Sequence, residues 1–219
     1  MKGISVITNF GCPFDCPYCI WKGHPLEHCH DATDWGKLDA FLRKGAERGC
    51  DHVSISGGGE PLFRFREHMT WWNRLMEYAK AARLYVDIHT RMRPTYSDDA
   101  WDFIHNRIRR LVLSSDQVDD VMPYADSDEC PAPYRRVVHV VTEHDTMGTL
   151  RAYARACRIP FVQLSFKKLH GSADNDLWEQ ARRSLNIPNI CFIKDCDFNE
   201  YYMPNNMITG NFILEENAE

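Results

Sequence analysis

Three cysteines stand within eight residues, Cys12, Cys16 and Cys19, spaced C-x3-C-x2-C. Three thiolates this close in sequence can wrap one soft metal centre. A fourth ligand would close a tetrahedral zinc site, or give the last iron of a four-iron cluster its thiolate. Three leave one position open, and an open iron is a place where an external molecule can bind and react. Gly11 allows a tight turn into this segment, and Pro13 and Pro17 stiffen it. Cys29, or one of His24, His28 and His30, could instead complete a zinc knuckle, and three reduced core thiols are the blandest alternative.

A second unusual segment follows one helix later, Gly57-Gly58-Gly59-Glu60-Pro61. A glycine run lets backbone groups approach a ligand closely, and a carboxylate beside an ammonium forms a charge-assisted hydrogen bond. Taken alone, such a run reads as a strand-to-helix turn.

The elements that must position these segments are legible in the hydrophobic pattern. Strands are predicted at residues 3–10, 52–56, 84–89, 108–113, 137–142 and 161–166. Helices are predicted at 34–49, 65–83, 97–106 (Ser97 as N-cap), 146–158 and 173–185. Residues 116–133 read as loop, and the tail holds two short β-like pieces around 195–199. Repeated βα units imply a parallel sheet with right-handed crossovers. Eight such units take ~250 residues, so six fit 219. The expected fold is α/β, a partial (β/α)6 TIM-like barrel with a mostly parallel sheet. One domain is expected over 1–219, with a core at 3–185 and an extension at 186–219. In such folds active-site groups gather at the C-terminal ends of strands, where the cysteine and glycine segments both fall.

Composition sets the outer bounds. With 26 Lys+Arg against 31 Asp+Glu the net charge is −5, which argues against a broad duplex-binding face. No apolar run approaches ~18 residues, so no membrane span is expected. Residues 1–10 do not read as a secretory leader, so a reducing, cytoplasmic setting is expected. There, nine cysteines, three of them clustered, favour metal or redox chemistry over disulfides.

The cysteine spacing, with Tyr18 before the third cysteine and Gly58-Gly59-Glu60-Pro61 after the second strand, resembles the radical S-adenosylmethionine (SAM) superfamily over roughly residues 3–169. The resemblance implies a metal site in which Cys12, Cys16 and Cys19 hold three irons of a [4Fe–4S] cluster. SAM would bind the fourth iron through its amino and carboxylate groups. Electron transfer would cleave it to methionine and a 5′-deoxyadenosyl radical that abstracts hydrogen from a substrate. The resemblance places Tyr18 near the adenine and Gly58, Gly59 and Glu60 at the methionine ammonium. It places Ser114 or Asp116 at the ribose hydroxyls, and Arg91 or Lys167 at the methionine carboxylate. The expected partners are a small-molecule or nucleotide-type substrate and an electron donor such as flavodoxin or ferredoxin.

Two other readings stay open, an activating enzyme that makes a glycyl radical on a partner protein and a non-catalytic iron–sulfur or zinc module. Cys29, Cys130, Cys191 and Cys196 are the right number for a second cluster but are scattered. Cys50 and Cys157 read as core, Trp71 and Trp72 as packing. Arg107, Arg109 and Arg110 could meet an anionic substrate, though a solvated strand edge is the default reading.

Overall fold

A computed structural model describes residues 3–16, 18–19, 33–92, 98–121, 132–159, 162–169, 176–193 and 200–210. The strands are β1 (Gly3–Thr8), β2 (His52–Gly57), β3 (Tyr85–Thr90), β4 (Arg110–Ser114), β5 (Tyr134–Val141), β6 (Val162–Lys168), β7 (Ile190–Ile193), β8 (Tyr201–Tyr202) and β9 (Ile208–Thr209). The α-helices are α1 (Trp35–Glu47), α2 (Met69–Ala81), α3 (Asp98–Arg107), α4 (Met147–Ala156) and α5 (Asp176–Ser184). The fold is α/β, and its mostly parallel sheet runs in the order β7-β6-β5-β4-β3-β2-β1-β8-β9. The six predicted strands are β1 to β6, and each helix follows its strand as a βα repeat requires.

The structure differs from the sequence reading in two places. The helix predicted at 65–83 is broken into a 3-10 turn, Phe65–His68, and α2. Arg64, at φ 47°, precedes the turn and sets its start. In the tail the described residues form three strands, while the two short β-like pieces expected around 195–199 fall on residues outside the described ones. β7 lies parallel to β6, β8 parallel to β1, and β9 antiparallel to β8.

Contacts group the chain into two compact units, Met1–Asp87 with Cys196–Glu219, and Ile88–Asp195. In the first, β1 and β2 pair in register from Gly3↔His52 to Thr8↔Gly57. Asp34 caps α1 by accepting from the Lys37 N–H at 3.0 Å. The tail is tied to that same cap. Asn206 Oδ1 accepts from the Asp34 N–H at 2.8 Å, and the Tyr202 hydroxyl donates to the Asp34 carbonyl at 3.1 Å. Trp71 and Trp72 are buried, as packing residues should be.

In the second unit, parallel register sorts the strands into two faces, because partnered residues share a face and neighbours alternate. One face carries Leu111, Leu113, Val137, Val141, Val162, Leu164 and Phe166, all buried. It meets the helices through His139 stacked on Tyr153 at 4.2 Å and Phe192 edge-on to Trp178 at 5.7 Å. Thr146 starts α4 with a capping box. The opposite face, with Arg110, Arg136, Gln163, Ser165 and Lys167, is more polar.

Candidate functional site

The cysteine segment leaves β1 through Phe10, which is fixed before the loop begins. Its ring stacks on His68 at 4.0 Å and meets Trp71 edge-on at 5.1 Å. The chain then turns at Gly11, whose φ of 87° favours glycine. Cys12 is exposed and Cys16 and Cys19 are half-buried, and none of the three is in a disulfide. The Cys19 N–H donates to the Cys16 carbonyl at 3.1 Å, which curls the end of the segment into a turn. Tyr18, within this turn, is half-buried.

The glycine segment is bonded directly onto that loop. The Gly58 N–H donates to the Thr8 carbonyl at 2.6 Å, and the Glu60 N–H to the Gly11 carbonyl at 2.8 Å. The approach leaves no room for side chains. A Cβ on Gly57 would lie 1.6 Å from the Gly59 carbonyl oxygen, and one on Gly59 would lie 2.6 Å from that of Gly11. Two motifs nearly fifty residues apart are thus joined through backbone at the C-terminal ends of β1 and β2.

Glu60 is buried and its Oε1 accepts from the Leu62 N–H at 3.0 Å. Although Cys12 is exposed at the surface, partial desolvation by its loop pushes its thiol up. A hydrogen bond from the Phe14 backbone opposes this, and Glu60 and the Cys16 and Cys19 thiols add to the rise. Those electrostatic couplings mean that the three sulfurs and the carboxylate share one neighbourhood. Among the described residues no three His, Cys, Asp or Glu side chains converge on a point that one metal ion could fill. A four-iron cluster takes one thiolate per iron, so its ligands stand farther apart than those sharing a single ion. Three thiols outside any disulfide, on one short loop beside a backbone cradle, fit that group as a donor set. Iron would also reverse the electrostatics around Cys12, since a coordinated thiol is deprotonated.

Of the other sequence-predicted residues, Arg91, Ser114, Asp116 and Lys167 lie in the second unit. Arg91 follows β3 and Asp116 follows β4, and they form an ion pair at 2.5 Å. Ser114 ends β4, half-buried, and Lys167 stands on β6 in register with Val140 and Ile193. Cys191 Sγ, on β7, accepts from Gln163 Nε2 at 3.0 Å. Cys157 is buried and Cys50 half-buried. His24, His28, Cys29, His30, Ser97, Cys130 and Cys196 lie outside the described residues.

Sequence reasoning missed the support beneath the β4 loop. His139 is buried on β5, with Nδ1 2.9 Å from the Ser115 carbonyl and Nε2 3.0 Å from Asp145 Oδ1. The Tyr153 hydroxyl donates to the same carbonyl at 3.3 Å. Asp145 Oδ2 accepts from the Thr142 N–H at 2.8 Å and from its hydroxyl at 3.1 Å. Burial raises the Asp145 carboxyl, but the bonds from His139 and Thr142 outweigh it and hold the group below its ordinary value. The sequence around His139, Val-Val-His-Val-Val, reads only as a buried strand.

No family model matches the chain, and no curated protein matches it. Solved structures do. SuiB of Streptococcus suis bound to S-adenosylmethionine aligns with a TM-score of 0.67 at 13% identity, covering 99% of this chain and 61% of SuiB. A second SuiB structure aligns at 0.65 and 14%, covering 97% and 60%. A radical SAM methyltransferase from Sphaerobacter thermophilus aligns at 0.56 and 15%, covering 89% and 67%. The chain therefore has a radical SAM-like fold, and it spans about three fifths of the length of SuiB.

Proposed function

We propose that this chain is a radical SAM enzyme acting on a small-molecule or nucleotide-type substrate. The observation that carries the reading is the joining of the cysteine loop to the glycine segment by the Glu60 N–H to Gly11 carbonyl bond of 2.8 Å. In this reading Cys12, Cys16 and Cys19 hold three irons of a [4Fe–4S] cluster and leave the fourth for SAM. When bound, that cluster supplies the electron that cleaves SAM to methionine and a 5′-deoxyadenosyl radical, which takes a hydrogen atom from substrate.

The chain's own residues hold the reactants in place. Phe10, wedged against His68 and Trp71, fixes where the cysteine loop begins. Backbone groups of Gly58 and Gly59 receive the methionine ammonium, which only a segment without Cβ atoms allows at such close range. Glu60, buried close to Cys12, adds negative charge that favours the ammonium. Tyr18 lies in the same loop, where its ring can cover the adenine.

Anaerobic reconstitution with iron and sulfide tests the assignment. The expected product holds four irons and four sulfides per chain, and its reduced-state paramagnetic resonance signal changes when SAM is added. Cys16→Ala is expected to lose the cluster. A Cys16→Ala protein that keeps four irons would refute the ligand assignment.

A further inference from the structure

The polar cluster around His139 lies on the side of the sheet that is otherwise packed with apolar residues. His139 shares that face with Val137 and Val141 and is buried as they are. Its ring stacks on Tyr153 of α4 at 4.2 Å and meets Phe166 of β6 edge-on at 6.3 Å. A leucine would fill this place without taking an imidazole and the Asp145 carboxylate out of water, which is costly. The polar choice therefore has a reason other than packing, and it lies in what the ring holds.

His139 and Tyr153 converge on one atom. The Ser115 carbonyl accepts from His139 Nδ1 at 2.9 Å and from the Tyr153 hydroxyl at 3.3 Å, so both lone pairs of that oxygen are used. The rest of Ser115 is bonded as fully. Its N–H donates to the Val138 carbonyl at 3.0 Å, its Oγ donates to the Gln117 carbonyl at 2.7 Å, and the Gln117 N–H donates to Oγ at 3.2 Å. Every polar atom of this buried residue is thus fixed, one position past the end of β4. The next residue is Asp116. Its Oδ1 accepts from Arg91 Nη2, and among the described residues its Oδ2 has no partner. Arg91 and Asp116 are both half-buried, so a buried anchor stands next to a carboxylate that a ligand can reach.

We infer that His139 is a positioning residue for SAM: by holding the Ser115 carbonyl it places the Asp116 carboxylate to accept from the ribose hydroxyls. The inference deepens the proposed function and rests on it for the identity of the ligand. The hold on the β4 loop rests on these residues alone. Ribose hydroxyls are donors, and a carboxylate oxygen left open beside an Arg-bound one accepts from them. His139 itself touches no ligand and acts only through Ser115.

Two measurements test this, one without ligand and one with it. In the iron-free full chain, amide hydrogen exchange is read at Ser115 and Gln117. His139→Phe keeps a ring against Tyr153 and loses both donors. It is expected to speed exchange at these two amides ~10-fold or more, and by more than at the β1 amides, which report global unfolding. In the reconstituted chain, SAM affinity is read by calorimetry. His139→Phe is expected to weaken it ~10-fold, and His139→Gln, which keeps a donor but loses the ring, by less. A role in packing alone predicts the reverse order. Asp116→Asn is expected to cost ~10-fold in the parent and ~3-fold or less in the His139→Phe background, where the carboxylate is already misplaced. His144→Phe, at an exposed position on the following loop, is expected to match the parent in both measurements. Equal acceleration at Ser115 and β1, or additive losses with Asp116→Asn in a chain that binds SAM, overturns this inference alone. A parent chain that holds its cluster and binds no SAM overturns the proposed function and this inference with it.

Discussion

Gly59→Ala is the substitution on which the joined-loop geometry can be judged most severely. The added Cβ would meet the Gly11 carbonyl oxygen at 2.6 Å, its carbon at 3.1 Å and its nitrogen at 3.3 Å. All three are backbone atoms, so no flexible side chain can move aside. Relief to an ordinary contact near 3.4 Å needs the two segments to part by ~0.8 Å, and it strains the Glu60 N–H bond to that same oxygen. Overpacking of this kind costs ~1–3 kcal/mol, and a lost backbone hydrogen bond adds ~1 kcal/mol. For a chain of this length, ~2–4 kcal/mol lowers the melting temperature by about 4–16 °C. Iron retention after reconstitution is expected to fall with it, because the displaced residue adjoins Cys12. Gly36→Ala, inside α1 and with only an ordinary 3.5 Å contact to Asp34, is the control, expected to be neutral or stabilising. A Gly59→Ala protein with the parent's melting temperature and a full complement of iron would refute the reasoning.

Three further outcomes are expected. Asp145→Asn should destabilise the chain by ~1–3 kcal/mol at pH 7, since it removes the charge that faces His139 and leaves an amide where both carboxylate oxygens now accept. The Asp145 carboxyl is held below its ordinary value, so its contribution is present above about pH 4 and lost as pH falls through the lowered folded value. Urea unfolding of parent and variant should therefore converge in acid, and curves that stay parallel from pH 7 to pH 2 would contradict the pairing. Cys157, whose thiol burial pushes up to about 12, should resist iodoacetamide at pH 8 in the folded, iron-free chain while Cys16 and Cys19 react; equal labelling by mass spectrometry would contradict its burial. Phe10→Ala should cost ~3–5 kcal/mol in denaturant unfolding, because it empties the site between His68 and Trp71. A loss under 1 kcal/mol would mean that the ring does not anchor the loop.

The parts of this architecture that repeat were readable from sequence, and the parts that depend on distant partners were not. Strands β1 to β6 announce themselves as apolar runs closed by glycine, serine or charged residues, and the helices between them by their period. That pattern is enough to put Cys12 and Gly58 at strand ends. β8 has two residues, and its strand character comes from pairing with Ser5 and Val6, almost two hundred positions earlier. No local pattern encodes such a pairing. The turn at Phe65–His68 is hidden by an amphipathic period that runs on without a break into α2, and the boundary lies at His68, whose backbone (φ −101°, ψ 9°) leaves helical geometry. Among the candidate site residues, the Arg91–Asp116 pair was legible as two residues and not as a pair. His139 stands among valines in a strand and looks like an ordinary core position, since its partners at Ser115, Asp145 and Tyr153 lie on other elements.

The central claim is that the three cysteines and the glycine segment together make a SAM-cleaving centre. Its most direct test is the reconstituted, dithionite-reduced chain incubated anaerobically with SAM, with 5′-deoxyadenosine and methionine measured by liquid chromatography and mass spectrometry. The account predicts that both products form, even without substrate, and that Cys12→Ala, Cys16→Ala and Cys19→Ala each abolish them. A fully loaded and reduced chain that neither binds nor cleaves SAM would contradict it.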